Sequence, residues 1–166
     1  KGKGTHAAVK RLHKFTRQIT KNGNVRAYFL QLDIKDFFPT INKEILFQMI
    51  ARKVTDPNVL WLTRVILFWD CTTSYVARGD MAMLKHVPAH KSLFSKNNEC
   101  GLPIGNLTSQ FFANVYLNEL DQFVKHNLQA RHYLRYVDDF VILSTDPEQL
   151  VMWRDEIKIF VAERLN

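Results

Sequence analysis

The sequence predicts an α+β fold, an antiparallel sheet backed by helices. Three observations predict it. Residues 25–34 alternate in the manner of a half-buried strand. Two short strand-like runs, His132 to Tyr136 and Phe140 to Ser144, are separated by so few residues that only an antiparallel hairpin joins them. Elsewhere apolar residues recur at helical spacing over long stretches.

Taken in order, Thr5 is placed to cap a first helix running to about Lys21. Val9, Leu12, Phe15 or Thr16, and Ile19 form its stripe, and Asn22-Gly23 stops it. In the strand after it, Tyr28, Leu30, Leu32 and Ile34 share the inner face, while Phe29, Gln31 and Asp33 share the other. Pro39 interrupts the next segment. Asn42 caps a helix with Ile45, Leu46, Met49 and Ile50 inward, and Asp56-Pro57 starts another with Leu60, Thr63, Ile66 and Leu67 as its stripe. Thr72 to Val76 and Met81 to Lys85 read as short strands, and His86 to Glu99 as a loop. Gly101 to Gly105 forms a rigid turn into Asn106, a cap for a buried helix reaching about Asn127. Its two rows are Phe112, Tyr116, Leu120, Val124 and Leu107, Phe111, Val115. After the hairpin, Asp146-Pro147-Glu148-Gln149 opens a last helix with Leu150, Trp153, Ile157, Phe160 and Val161 inward.

At 166 residues and 46% hydrophobic, the chain has enough apolar surface for a core and reads as one domain over 1–166. No apolar stretch reaches the ~18 residues of a membrane span, and the start has no secretory pattern. Cys71 and Cys100 are too few for a disulfide framework and suit a reducing, cytoplasmic setting. The chain opens on Lys1-Gly2-Lys3 without an initiator Met, which suggests a piece of a longer polypeptide.

The formal net charge is +7, and its distribution is uneven. From Lys1 to Leu32 there is no Asp or Glu, while Lys10, Arg11, Lys14 and Arg17 succeed one another along the first helix. Such a stretch is either a solvated helix face or a positive field for phosphate backbones. The acids decide between them. Asp138 and Asp139 are adjacent at the predicted hairpin tip, and neighbouring negative charges held together call for a cation. Asp33 lies near the end of a separate strand. Each alone has an ordinary reading as a turn or cap residue. Brought together, three carboxylates suit Mg²⁺, which prefers oxygen ligands and keeps room for water and phosphate. A two-ion site, with ions ~4 Å apart, would activate an attacking hydroxyl and steady a leaving phosphate.

Leu32-Asp33-Ile34-Lys35-Asp36-Phe37-Phe38, then Gly101 to Gln110, then Tyr136-Val137-Asp138-Asp139 resemble, in order and spacing, the three successive palm motifs of bacterial reverse transcriptases. The resemblance spans essentially the whole chain. It implies a polymerase palm, ferredoxin-like, with part of the fingers, and RNA-directed DNA synthesis. Asp33, Asp138 and Asp139 would be the catalytic acids. With the Ile34 carbonyl they would hold two Mg²⁺ ions, for which Mn²⁺ could substitute. Phe38 falls at the family's steric gate, where a ring occupies the space of a ribose 2′-hydroxyl. Ile104, Gly105 and Gln110 would border the incoming dNTP, glycine allowing close backbone approach. Lys10, Arg11, Lys14, Arg17 and Tyr136 would meet the RNA template and primer.

Two departures matter. Many members carry Gln-Gly and then Ser-Pro in the second motif, where this chain has Ile104-Gly105 and Ser109-Gln110. That version is similar to the enzymes of diversity-generating retroelements, which copy RNA with frequent errors at adenines and work with a small basic accessory protein. Group II intron and retron enzymes are the alternatives. The first fingers hairpin and the thumb have no equivalent here, so the fragment alone is expected to be inactive. Two other classes stay open, an RNA-dependent RNA polymerase and an inactive polymerase-derived RNA-binding module. Phe38 speaks against the first and the intact acids against the second. Zinc at His86, His90, Cys71 and Cys100 is disfavoured by Pro88 and by the lack of a Cys-x-x-Cys pair. Ser109 has no partners in a recognisable nucleophile pattern. Trp61, Trp69 and Trp153 read as core.

Overall fold

In the computed structural model, which describes residues 4–73, 75–76, 78–95 and 98–165, the hairpin forms where the alternation requires it. Strand β2 (Tyr133–Tyr136) turns into β3 (Asp139–Ser144), and β1 (Tyr28–Leu32) pairs antiparallel with the far side of β3. The spatial order is β1-β3-β2. The architecture is mixed α+β, a small three-stranded antiparallel sheet with helices, as a polymerase palm fragment has.

The chain divides into two compact units, residues 1–34 with 117–164, and residues 35–116 with 165–166. The first contains the sheet. Register pairs Leu30 with Ile142 and Leu32 with Phe140 on the inner face; Ile142 and Phe140 are buried. Phe29 and Gln31 are exposed on the opposite face. Helix α1 (Thr5–Ile19) lies along β2: the Phe15 ring meets His132 edge-on at 5.3 Å, and Thr5 donates to the Tyr136 hydroxyl at 3.1 Å. Thr5 is the first helical residue rather than the cap, which is Gly4. The last helix, α6 (Pro147–Arg164), is capped by Asp146, whose carboxylate accepts from the Glu148 and Gln149 amides. Ser144 links cap to strand by accepting from the Asp146 amide and donating to Gln149. Leu150 and Ile157 are buried, and the Phe160 ring stacks on Phe123 at 4.3 Å.

In the second unit a short helical turn, α2 (Phe37–Thr40), accommodates Pro39 instead of ending at it. Asn42 caps α3 (Lys43–Ala51) by accepting from the Ile45 amide at 3.0 Å, and Asp56 caps α4 (Pro57–Phe68) through the Asn58 and Val59 amides. Gly101 runs at φ +92°. Its amide donates to Ile41 and the Leu102 amide to Phe38, which ties the second motif region to the first within this unit. Tyr116 accepts from the Asn42 amide and donates to the Leu165 carbonyl. Lys43 is buried; its ammonium donates to Asn98 at 2.7 Å, and burial holds its pKa below the usual lysine value.

Several expectations fail here. Met81–His86 is a 3-10 helix, and the described residues of 72–76 form no strand (Ser74 lies outside them). Further 3-10 turns, Ala89–Lys91 and Leu93–Ser95, punctuate the predicted loop. Helix α5 (Leu107–Gln122) buries Phe112, Tyr116 and Leu120, and the π turn after it buries Val124, but Leu107 and Phe111 are exposed. Trp61 and Trp69 are 67% and 62% exposed, so they are not core, and of the α4 stripe only Leu67 is buried. No helix among the described residues is long and apolar enough to cross a membrane.

Candidate active site

The last β2–β3 pair is Tyr136 with Asp139, which leaves Val137 and Asp138 as the two turn residues. Val137 has φ +58°, while Asp138 is not among the residues of positive φ. Those signs match a type II′ hairpin turn, whose first central position favours glycine. A β-branched residue there is an outlier that costs about 1–3 kcal/mol and persists only where its surroundings enforce it.

Arg135 is what enforces it. By register its side chain starts on the inner face, opposite Phe140, where an arginine needs a partner. Asp121, near the end of α5, supplies one. The guanidinium donates from Nε to Oδ1 at 2.8 Å and from Nη2 to Oδ2 at 2.8 Å. Its remaining nitrogen, Nη1, donates to the Val137 carbonyl at 2.7 Å. Tyr133 also donates to Asp121, at 2.7 Å. The arginine side chain is only 8% exposed and the aspartate 17%. Burial works against the charge on Arg135, but the hydrogen bonds and charge of Asp121 outweigh it and its pKa is raised. Burial, then the Asp121 charge, pushes the Tyr133 phenol up. Three groups that no sequence motif singles out thus hold the backbone of the carboxylate turn. The available signal was faint: an arginine on an inward strand position demands a buried acid, but nothing local says which one.

The β1–β3 pairing ends at Leu32 with Phe140. Asp33 follows Leu32 and Asp139 precedes Phe140, so the same register continued one step would set the two acids opposite each other. Facing residues of an antiparallel pair project to the same side. On that continued register Asp33 and Asp139 would share the open face of the sheet with Gln31 and Tyr136; both are exposed. Asp138 sits beside them in the turn, half-buried. The donor set is all hard oxygen, which fits a divalent cation of the Mg²⁺ type in chemistry. Among the described residues, however, no three His, Cys, Asp or Glu side chains close on one point as a finished metal centre.

The other expected site residues lie in both units. Ile34 ends the first unit directly after Asp33, and Phe38, Ile104, Gly105 and Gln110 are in the second. Phe38 is half-buried and its neighbour Phe37 buried, the two rings meeting edge-on at 5.4 Å. Ile104 is exposed, and Gly105 runs at φ +103° with open space where a Cβ would stand. Lys10, Arg11, Lys14 and Arg17 are all exposed on α1, with the Arg11 guanidinium 5.3 Å from the centre of the Phe15 ring. Tyr136 is half-exposed and held by Thr5.

Comparison with known proteins gives two findings. A family profile described as reverse transcriptase (RNA-dependent DNA polymerase) matches residues 2–165. The chain is similar to the Retron Ec83 reverse transcriptase of Escherichia coli, 26% identical over 138 residues, which covers 79% of this chain and 36% of that protein. It therefore spans about a third of the length of the curated relative it matches.

Proposed function

The chain belongs to the reverse transcriptase family, and on that premise we propose that it carries the palm carboxylates of an RNA-directed DNA polymerase. A primer 3′-hydroxyl attacks the α-phosphate of a dNTP and pyrophosphate leaves. What supports the reading is the strand ladder: β1 and β3 pair through Leu32 and Phe140, so Asp33 follows the last paired residue of one strand, Asp139 begins the other, and Asp138 lies in the adjoining turn. Asp33, Asp138 and Asp139, with the Ile34 carbonyl, would hold the divalent ions, which supply Lewis-acid activation of the hydroxyl and charge relief on the leaving group.

The chain's own residues do the remaining work by position. Phe38 bars a ribose 2′-hydroxyl. Gly105, with no side chain, lets the nucleotide lie close to the backbone beside Ile104 and Gln110. The cations of α1 neutralise template and primer phosphates, and Tyr136 braces the primer end. The region reads as palm with part of the fingers, and alone it would extend primers poorly.

Two lineages are favoured by different observations. Ile104 in place of a hydrogen-bonding Gln supports the error-prone type of diversity-generating retroelements, working with a small basic accessory protein. The similarity to a retron enzyme supports a retron role. Primer extension by the whole protein on an RNA template tests the chemistry. Asp138→Asn should abolish Mg²⁺-dependent dNTP addition, and Phe38→Ala should admit rNTPs. Addition of rNTPs as readily as dNTPs by the unsubstituted protein would overturn the DNA-polymerase assignment. Misincorporation concentrated opposite template adenines would favour the first lineage, and even fidelity the second.

A further inference from the structure

The end of β2 remote from the carboxylate turn borders a concavity of about 530 Å³, lined among others by Arg11, Phe15, Lys125, His126, Arg131 and Tyr133. It belongs wholly to the sheet-bearing unit. Its walls are built by backbone rather than by chance side-chain placement. Helix α5 continues as a wide π turn over Phe123–Asn127, and Gln129 then takes φ +54°. The Leu128 amide closes on Phe123 and the Ala130 amide on Val124. This reversal brings Arg131 back beside Lys125 and His126, and α1 completes the wall with Arg11. Single π turns of this kind recur at functional sites.

The charge is one-sided. Among the described residues that line the concavity there is no Asp or Glu. Among the described residues, Arg11, Lys125 and Arg131 form no ion pair. Clustered cations around a hollow raise the local field for an anion. Phe15 and Tyr133 are buried, so their rings form the floor and are not offered for base stacking. A ligand held here is therefore gripped by its charge and not by its bases. Outside the hollow the positive track continues over Lys10, Lys14 and Arg17 on α1. A repeating anion fits a hollow plus a track, where a compact anion would use the hollow alone.

We propose that this concavity is a second polynucleotide site, which grips the phosphodiester backbone of an RNA strand away from the carboxylate turn. Four strand steps from Tyr133 to Val137 separate the two by ~13 Å, or on the order of four stacked nucleotides at ~3.4 Å each. The inference rests on the polymerase reading for its choice of RNA over other polyanions, and its test does not need catalysis.

The experiment measures binding of a fluorescent oligouridylate by the whole protein across a salt series. Lys125→Ala with Arg131→Ala removes two cations. The slope of log K against log salt should fall by about 1.4, which at ~0.1 M salt is roughly 25-fold weaker binding. Lys158→Ala on α6 should change neither. The loss should vanish for an oligouridylate too short to span both places. Extension of a primer–template that short should keep its rate in the double variant. An unchanged slope and affinity for the long oligomer would overturn the proposal. So would loss of binding to phosphatidylserine vesicles with RNA affinity intact. Failure of the polymerase reading would appear instead as absent extension by the unsubstituted protein, with RNA binding still reporting on the hollow.

Discussion

Replacing Arg135 by alanine removes a guanidinium that makes two hydrogen bonds to Asp121 and one to the Val137 carbonyl. Breaking a buried pair from one side costs about 3–5 kcal/mol, because the other charge stays behind. Asp121 retains some solvent contact, at 17% exposure, so the lower end applies, about 3 kcal/mol. For a chain of this size that corresponds to a Tm lowered by about 6–12 °C, at 2–4 °C per kcal/mol. A second variant separates fold from function. Asp121→Leu, Tyr133→Phe and Arg135→Met together remove the polar side-chain groups of this cluster, and such replacements are often neutral. Most of the lost Tm should return. The Val137 carbonyl would still lack its donor, so the turn should stay loose and primer extension by the whole protein should remain on the order of 10–100-fold slow. A triple variant that recovers both Tm and extension rate would refute the positioning argument. A loss below about 1 kcal/mol in Arg135→Ala would refute the burial argument.

Two further outcomes test other parts of the structure. A Cβ at Gly101 would lie 2.5 Å from a Leu93 methyl and 3.2 Å from the Pro39 carbonyl, whereas one at Gly105 meets open space; both glycines have positive φ. Gly105→Ala should therefore lose about 1–2 kcal/mol to backbone strain, and Gly101→Ala about 1–3 kcal/mol more from crowding, measured by denaturant unfolding. His132 has its pKa lowered, first by burial and then by the Arg131 charge. The unfolded chain then takes up that proton near 6.5, before the folded one does. Stability should be fully present above 6.5 and decline as pH falls through and below it. Thermal melts from about pH 7.5 down to about pH 5.5 should show this, and His132→Phe should flatten it.

The hairpin was legible because it is local: alternation, a short tip and the Asp146 cap all lie within one stretch, although Asp139, expected at the tip, begins β3 instead. The same holds for the caps at Asn42 and Asp56, whose side chains reach amides two or three residues on. The pairing of β1 with β3, which brings the Asp33 and Asp139 ends of the two strands together, could be anticipated only by assumption, since no local rule sets the register of distant strands. Thr72 to Val76 and Met81 to Lys85 misled because strand propensity expresses packing on a sheet, and no sheet reaches them. Periodicity placed Trp61, Trp69, Leu107 and Phe111 inside; it identifies an apolar stripe but not whether anything covers it. The Asp121–Arg135 clamp was invisible because its partners sit on different elements.

Val137 carries one more consequence. A laboratory campaign that screens only for heat resistance should repeatedly choose glycine or asparagine at this position, because either relaxes the left-handed backbone at φ +58°. The winners would be sturdier proteins with a relaxed turn beside Asp138 and Asp139. Assaying primer extension by the whole protein in the same round would separate a valine kept for the turn's geometry from one that is merely tolerated.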